Sequence, residues 1–235
     1  MEEFRPIVGG LALAMLSVAA WADGASLSLP VGSARIERSV LSFVAMRDAN
    51  VVRQQRDYSC GAASLATLIH YGLDDPVEEA WFLDKLLAPL TKEELIELQK
   101  RGLSLLDMQR LARERGHRAQ GFRIHRDELV KLVRPVIVHI RPKGYQHFAV
   151  LRGIRGDRAY LADPSQGNLR MPLYRFYEMW ADADGVGTVF VVERTDGRWP
   201  AHYPLALPGA LPDRIEATSA RRFFDSGAAL PALIR

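Results

Sequence analysis

The sequence predicts an α+β domain in which helices come first and antiparallel strands follow. Three observations carry this. Apolar residues recur at helical spacing between capping residues over positions 60–116, short alternating or apolar runs bounded by turn residues fill positions 118–193, and no βαβ rhythm or internal repeat links the two halves.

The elements follow in order. Residues 23–50 open with Gly, Ser and Pro and then alternate apolar with polar residues over 35–46, a pattern that fits an arm or a first strand and does not decide between them. A polar loop, Gln54 to Ser59, leads into a helix over 60–71 that Gly72 is expected to stop. Asp75-Pro76-Val77-Glu78 reads as a second helix start, with Asp75 as N-cap and Pro at the first position, and Trp81, Phe82, Leu83, Leu86 and Leu87 form its core face. Thr91 with Glu94, and Ser104 with Asp107, have capping-box spacing, and Gly102 and Gly116 end the helices they begin. A strand over 118–124 and a short helix over 127–133 precede strand-like runs at 136–140, 146–152, 159–162, 168–173 and 188–193.

Composition narrows the classes of function. The 235 residues carry a formal charge of +3, with no Lys/Arg run and no basic-aromatic interleaving, so nucleic-acid binding is not expected. Residues 7–20 form an apolar stretch of signal-peptide length, and Ala20-Trp21-Ala22 supplies a small-x-small cleavage pattern, although Glu2 and Glu3 outweigh Arg5 ahead of it. The expectation is a signal peptide at 1–22, export to the periplasm, and no membrane anchor after cleavage. The rest divides into an arm (23–50), one domain (51–195) and a Pro-, Ala- and Gly-rich C-terminal extension (196–235).

Cys60 is the only cysteine. In an oxidising compartment cysteines are usually paired, and a single one cannot form an internal disulfide. At a helix N-terminus the macrodipole and unpaired N–H groups favour the thiolate, the form that attacks carbonyls, and Gly61, Ala62, Ala63 and Ser64 are small enough for a substrate backbone to approach. A buried structural cysteine is the competing reading.

A nucleophilic thiol needs a base, a group that orients the base, and donors for the oxyanion. Of six histidines, His70 lies about 15 Å along the same helix, His117 and His125 flank a strand, His139 sits inside an apolar run, and His202 is in the extension. His147, at a strand start after Gly144-Tyr145-Gln146, remains. If the strands on either side of residues 153–157 pair about a loop centred on Arg155, His147 stands directly opposite Asp163 on one face, close enough for the carboxylate to hold the imidazole; the alternative is that Asp163, before Pro164, only starts a turn. Gln54 is the candidate oxyanion donor beside the Cys60 N–H, and residue physics does not choose between it and Gln55. One cysteine and no His pair at i, i+4 spacing leave no metal site, and no cofactor is expected.

Gln54 with Cys60 six positions on, the block 57–63, the run 145–151 and Ala162-Asp163-Pro164-Ser165 together resemble the C39-type cysteine peptidases, papain-like domains best known for trimming double-glycine leaders from bacteriocins. The resemblance covers about 51–192. It implies a papain-like fold with N-terminal helices packed on an antiparallel sheet, Cys60 as nucleophile, His147 as general base, Asp163 as its orienting residue and Gln54 as oxyanion donor. The chain shows no Walker motif and looks more like free-standing, exported C39-like proteins, some of which accompany periplasmic amyloid-fibre secretion. A secreted or fibre-forming polypeptide is therefore the implied substrate. Two alternatives use the same groove: a non-catalytic protein that binds an extended secreted polypeptide, and a cell-wall amidase or acyl transferase with the same triad.

Overall fold

The computed structural model describes residues 24–31 and 34–207, with side chains from Ser42 onward. The expected signal peptide lies outside the described residues, as does the extension beyond Leu207. The chain divides into two units, Met1–Ser42 and Phe43–Arg235. In the first, β1 (Gly24–Val31) pairs antiparallel with β2 (Ala34–Leu41), Gly24 opposite Leu41.

The second unit begins with α1 (Phe43–Asp48), followed by α2 (Cys60–Leu73), α3 (Glu79–Leu87), α4 (Lys92–Arg101) and α5 (Leu105–Glu114). Strands β3 (His117–His125), β4 (Val136–Ile140), β5 (His147–Arg155), β6 (Arg158–Asp163), β7 (Gly167–Pro172) and β8 (Val186–Arg194) follow, with α6 (Arg126–Leu129) after β3 and α7 (Leu173–Trp180) after β7. The six strands form one antiparallel sheet in the order β3-β8-β4-β5-β6-β7.

Side-chain alternation along the strands builds a core on each face. Ile137, Phe148, Val150, Ala162, Phe190 and Val192 pack with Leu65, Leu68 and Ile69 of α2. Val138, Ala149, Leu151, Leu161, Val189 and Val191 pack with Phe176 and Trp180 of α7. Helix α2 is almost wholly buried, so its Ala- and Gly-rich sequence serves close packing against the sheet.

Both expected capping boxes form: Thr91 with Glu94 starts α4, and Ser104 with Asp107 starts α5. Three local expectations fail for identifiable reasons. Helix α2 runs through Gly72 to Leu73 and is closed by Asp74, which itself takes the left-handed conformation (φ 56°). Asp75 does not cap α3, which starts later; its carboxylate is engaged by Arg115 and by His117 Nε2 (2.9 Å), so a tertiary ion pair outcompetes the local cap. The helix expected over 127–133 is the single turn of α6. Helix α7 was not anticipated at all. In the extension, Leu205 is fully buried in the α2-side core, and Arg152 donates to the carbonyls of Pro204, Leu205 and Ala206.

Candidate active site

Cys60 is the first residue of α2. Ser59 stands at the N-cap position but does not cap: its hydroxyl donates to Arg56 O (2.8 Å) and accepts from Arg56 N (3.1 Å). The first-turn N–H groups of α2 therefore have no side-chain cap, and the positive end of the helix faces the sulfur's surroundings. Cys60 is only 7% exposed and is part of the core cluster. It nonetheless lies close enough to His147 to help hold that residue's proton.

His147 is the first residue of β5, Asp163 the last of β6, and the two are 6% and 1% exposed. His147 Nε2 lies 3.0 Å from Asp163 Oδ2, which leaves Nδ1 as the nitrogen for Cys60. The contact is the one expected, but the register is not. The hairpin turns on Gly156-Asp157, with Arg155 paired to Arg158, and a bulge lies between Leu151 and Gly153. The ladder ends at Val150–Ala162; continuing its register would set Asp163 across from Ala149 rather than His147. Histidine and aspartate thus meet diagonally across the strand ends, a spacing that long side chains span. The bulge restores the parity that the shorter turn would have changed, so both side chains still share a face.

Asp163 is held by its own turn. Its Oδ1 accepts from Ser165 N (2.7 Å), Ser165 Oγ (2.6 Å) and Gln166 N (3.0 Å), while Oδ2 serves the histidine. Burial pushes this carboxyl up, but the bonds from His147 and Ser165 outweigh it and hold the acid below its usual range. Burial likewise opposes charge on His147, yet the bonds to Asp163 and Cys60 and the Asp163 charge prevail, raising its pKa to about 9. At neutral pH the site therefore holds a carboxylate and an imidazolium.

The turn is tied to the loop that precedes Cys60. Gln54 N donates to Pro164 O (3.0 Å), Arg53 donates to Ser165 O, and Val52 N donates to Thr67 Oγ1 of α2 (3.0 Å). Gln54 Nε2 donates one N–H to Arg56 O (2.9 Å), leaving its second N–H for another acceptor, while Oε1 is buried without a partner. The structure thus brings Cys60, His147 and Asp163 together and places the backbone of Gln54 beside the Asp163 turn.

The small residues after Cys60 serve packing rather than substrate approach. Ala62 and Ala63 are fully buried, and a Cβ on Gly61 would sit 3.1 Å from Leu103 Cβ and 3.2 Å from Met108 Sδ. Of the other histidines, His70 Nδ1 contacts Val77 O, His117 pairs with Asp75, and His139, on the strand beside His147, packs on the Phe148 ring. Sequence reasoning missed Ser165 and Glu79. The first was readable in Asp163-Pro164-Ser165, where a Ser two residues after an Asp supplies both N–H and O–H to its carboxylate. The second, whose carboxylate accepts from Gln55 N (3.1 Å), left no local signal.

Gly167 closes the Asp163 turn at φ +89°, and a Cβ there would meet Arg47 O at 2.6 Å. Gly167→Ala is expected to cost at least about 1–2 kcal/mol from backbone conformation alone, with the clash added. A melting midpoint lowered by roughly 5 °C or more, with reduced activity as the Asp163 donors shift, is the expected result; an unchanged midpoint would contradict this view of the turn.

Residues 48–186 match the description of the peptidase C39 family. Two relatives named "Probable functional amyloid protease FapD" are each 36% identical: that of Pseudomonas aeruginosa over 72% of this chain and 73% of that protein, and that of Pseudomonas fluorescens over 77% and 76%. The peptidase domain of Streptococcus ComA, a bi-functional ABC transporter, is 24% identical, with a TM-score of 0.49 over 62% of this chain and 98% of that one. With a thiol at a helix start beside an imidazole that is hydrogen-bonded to a carboxylate, and a family match over more than half its length, the chain belongs to the C39 family and is a cysteine peptidase.

Proposed function

We propose that this peptidase is exported, acts in the periplasm and cleaves a peptide bond in a secreted, fibre-forming polypeptide, with Cys60 as nucleophile, His147 as acid and base, Asp163 as the group that orients His147, and Gln54 as an oxyanion donor. The observation that carries the catalytic part is the buried His147 Nε2–Asp163 Oδ2 bond, with Cys60, at the start of α2, near enough to His147 to influence its charge. The apolar stretch at 7–20 with Ala20-Trp21-Ala22 supports export, and the printed names of the two Pseudomonas relatives support an amyloid-related substrate.

The thiolate attacks the carbonyl carbon, and the oxyanion is met by the Cys60 N–H and the spare N–H of Gln54 Nε2. His147, entering as the imidazolium, protonates the leaving amine as the C–N bond breaks and a thioester forms. Neutral His147 then takes a proton from water, whose oxygen attacks the thioester; the C–S bond breaks, sulfur leaves as the thiolate, and His147 is again the imidazolium. Asp163 stays ionised throughout and keeps a proton on Nε2.

Co-expression with a fibre-forming subunit, followed by intact-mass analysis of that subunit, tests the assignment. One cleavage that is lost in Cys60→Ala is expected; binding without cleavage would favour the accessory-protein alternative, and release of peptidoglycan fragments the amidase one. The pH profile gives a separate check. Because the amine leaves with a proton from a group of pKa about 9, kcat/KM should hold from neutral pH upward and fall as pH rises through about 9. A limb near 6.5, the ordinary histidine value, would mean that the Asp163 and Cys60 contacts do not hold the proton.

A further inference from the structure

Glu79 is a carboxylate in an unexpected place. It is the first residue of α3, its residue surface is 1% exposed, and nothing in the chemistry above uses it. A buried carboxylate is costly unless hydrogen bonds or charges compensate it. Here the compensation comes from the loop that leads to the nucleophile. Glu79 Oε2 and Oε1 accept from Gln55 N at 3.1 and 3.3 Å, and the nearby Ser59 side chain and Arg56 charge favour its ionised form further. Burial pushes the Glu79 carboxyl up, and these three partners only partly offset it. The position at the start of α3 adds the favourable end of that helix.

The two peptide groups flanking Gln54 are therefore fixed from opposite directions. Gln54 N is held by Pro164 O, next to Asp163, and Gln55 N is held by Glu79 from the helical layer. Ser59, which precedes Cys60, is bonded to Arg56 through both its O–H and its oxygen, and Arg56 in turn sets its charge against Glu79. One carboxylate thus holds the residue after the candidate oxyanion side chain, and the Arg56–Ser59 bonds connect that part of the loop to the residue before the oxyanion backbone N–H.

Building on the assignment of Cys60 and Gln54 above, we infer that Glu79 is a positioning residue for the oxyanion hole: its carboxylate sets the distance between the Gln54 amide and the Cys60 N–H, without touching substrate. Oxyanion donors act only when they are already aimed at the developing charge, and a misplacement of about 1 Å can cost on the order of 10²-fold.

The test compares two reactions at the only cysteine. Acylation of Cys60 by N-acetylglycine p-nitrophenyl ester passes through a tetrahedral oxyanion: sulfur bonds to the carbonyl carbon, the oxygen takes the charge, and p-nitrophenolate leaves. Alkylation by iodoacetamide displaces iodide at a saturated carbon and forms no oxyanion. The readout is the ratio of the two rates, measured with melting midpoints for wild type, Glu79→Ala, Glu79→Asp and Glu79→Gln. Glu79→Ala is expected to lower the ratio by roughly 10- to 100-fold with alkylation nearly unchanged. Glu79→Asp, which withdraws the carboxylate by one methylene, should lower it as well. Glu79→Gln keeps an acceptor for Gln55 N and should restore most of it.

A folded Glu79→Ala with the wild-type ratio, or with both rates reduced equally, would overturn the inference; should the alanine variant not fold, Glu79→Asp decides on the same terms. A wild-type ratio no higher than that of free cysteine would instead show that no oxyanion hole operates, and would fail the catalytic assignment itself.

Discussion

Cys60→Ala is expected to abolish peptide hydrolysis, by roughly 10⁴-fold or more in kcat, because nothing else in the site can form the acyl intermediate. The carboxylate of Asp163 is committed to His147, Ser165 and Gln166, and the Ser59 hydroxyl to Arg56. The cost to folding should be small by comparison. The sulfur is buried beside His147, so its loss leaves a space of about one large atom, worth on the order of 1 kcal/mol. Turnover and thermal melting on the same preparation separate the two effects. A folded variant that keeps substantial turnover would remove Cys60 from the mechanism.

Asp163→Asn is expected to have the second largest effect, on the order of 10³- to 10⁴-fold in kcat. The asparagine oxygen can still accept from Ser165 and Gln166, so the turn survives. Its amide nitrogen then faces His147 Nε2 and donates to it, which moves the ring proton to Nδ1 and takes the free lone pair away from the sulfur. The electrostatic consequence has a definite sign. In the wild type the folded-state pKa of His147 is raised from 6.5 to about 9, so its contribution to stability is fully present below 6.5 and is lost as pH rises through about 9. In Asp163→Asn the carboxylate charge is gone, so the fall in denaturation midpoint between these limits should shrink and the alkaline limb of kcat/KM should move towards 6.5. An unchanged limb would mean that Asp163 does not govern the histidine. Asp163 itself, held below its ordinary value, contributes stability above that value and loses it as pH falls through its lower native one.

The meeting of Cys60, His147 and Asp163 was legible in the sequence because each sits at an element boundary that local chemistry announces. Cys60 follows a polar loop, His147 follows a glycine turn, and Asp163 precedes Pro164 and Ser165. The helical half was legible where caps are self-contained, as at Thr91 and Ser104. It was misread at Asp75, where Arg115 and His117, forty residues away, claim the carboxylate. Register was misjudged because turn length and a bulge depend on tertiary demands, here the Arg152 side chain clasping Pro204, Leu205 and Ala206. Helix α7 starts directly at the end of β7, with Pro172 as its N-cap residue and no side-chain cap, so the strand-like run gave no sign of ending there. Glu79 was invisible for a deeper reason: beside Glu78 and Asp75 it reads as one more acidic residue at a helix start, and only the fold turns it towards Gln55.

Since Cys60 is the chain's single cysteine, titration with iodoacetamide tests the catalytic thiol without ambiguity of site. Residual peptidase activity should fall in direct proportion to the fraction of protein carbamidomethylated at Cys60, reaching zero at one equivalent. Fully modified protein that still cleaves its substrate would contradict the account.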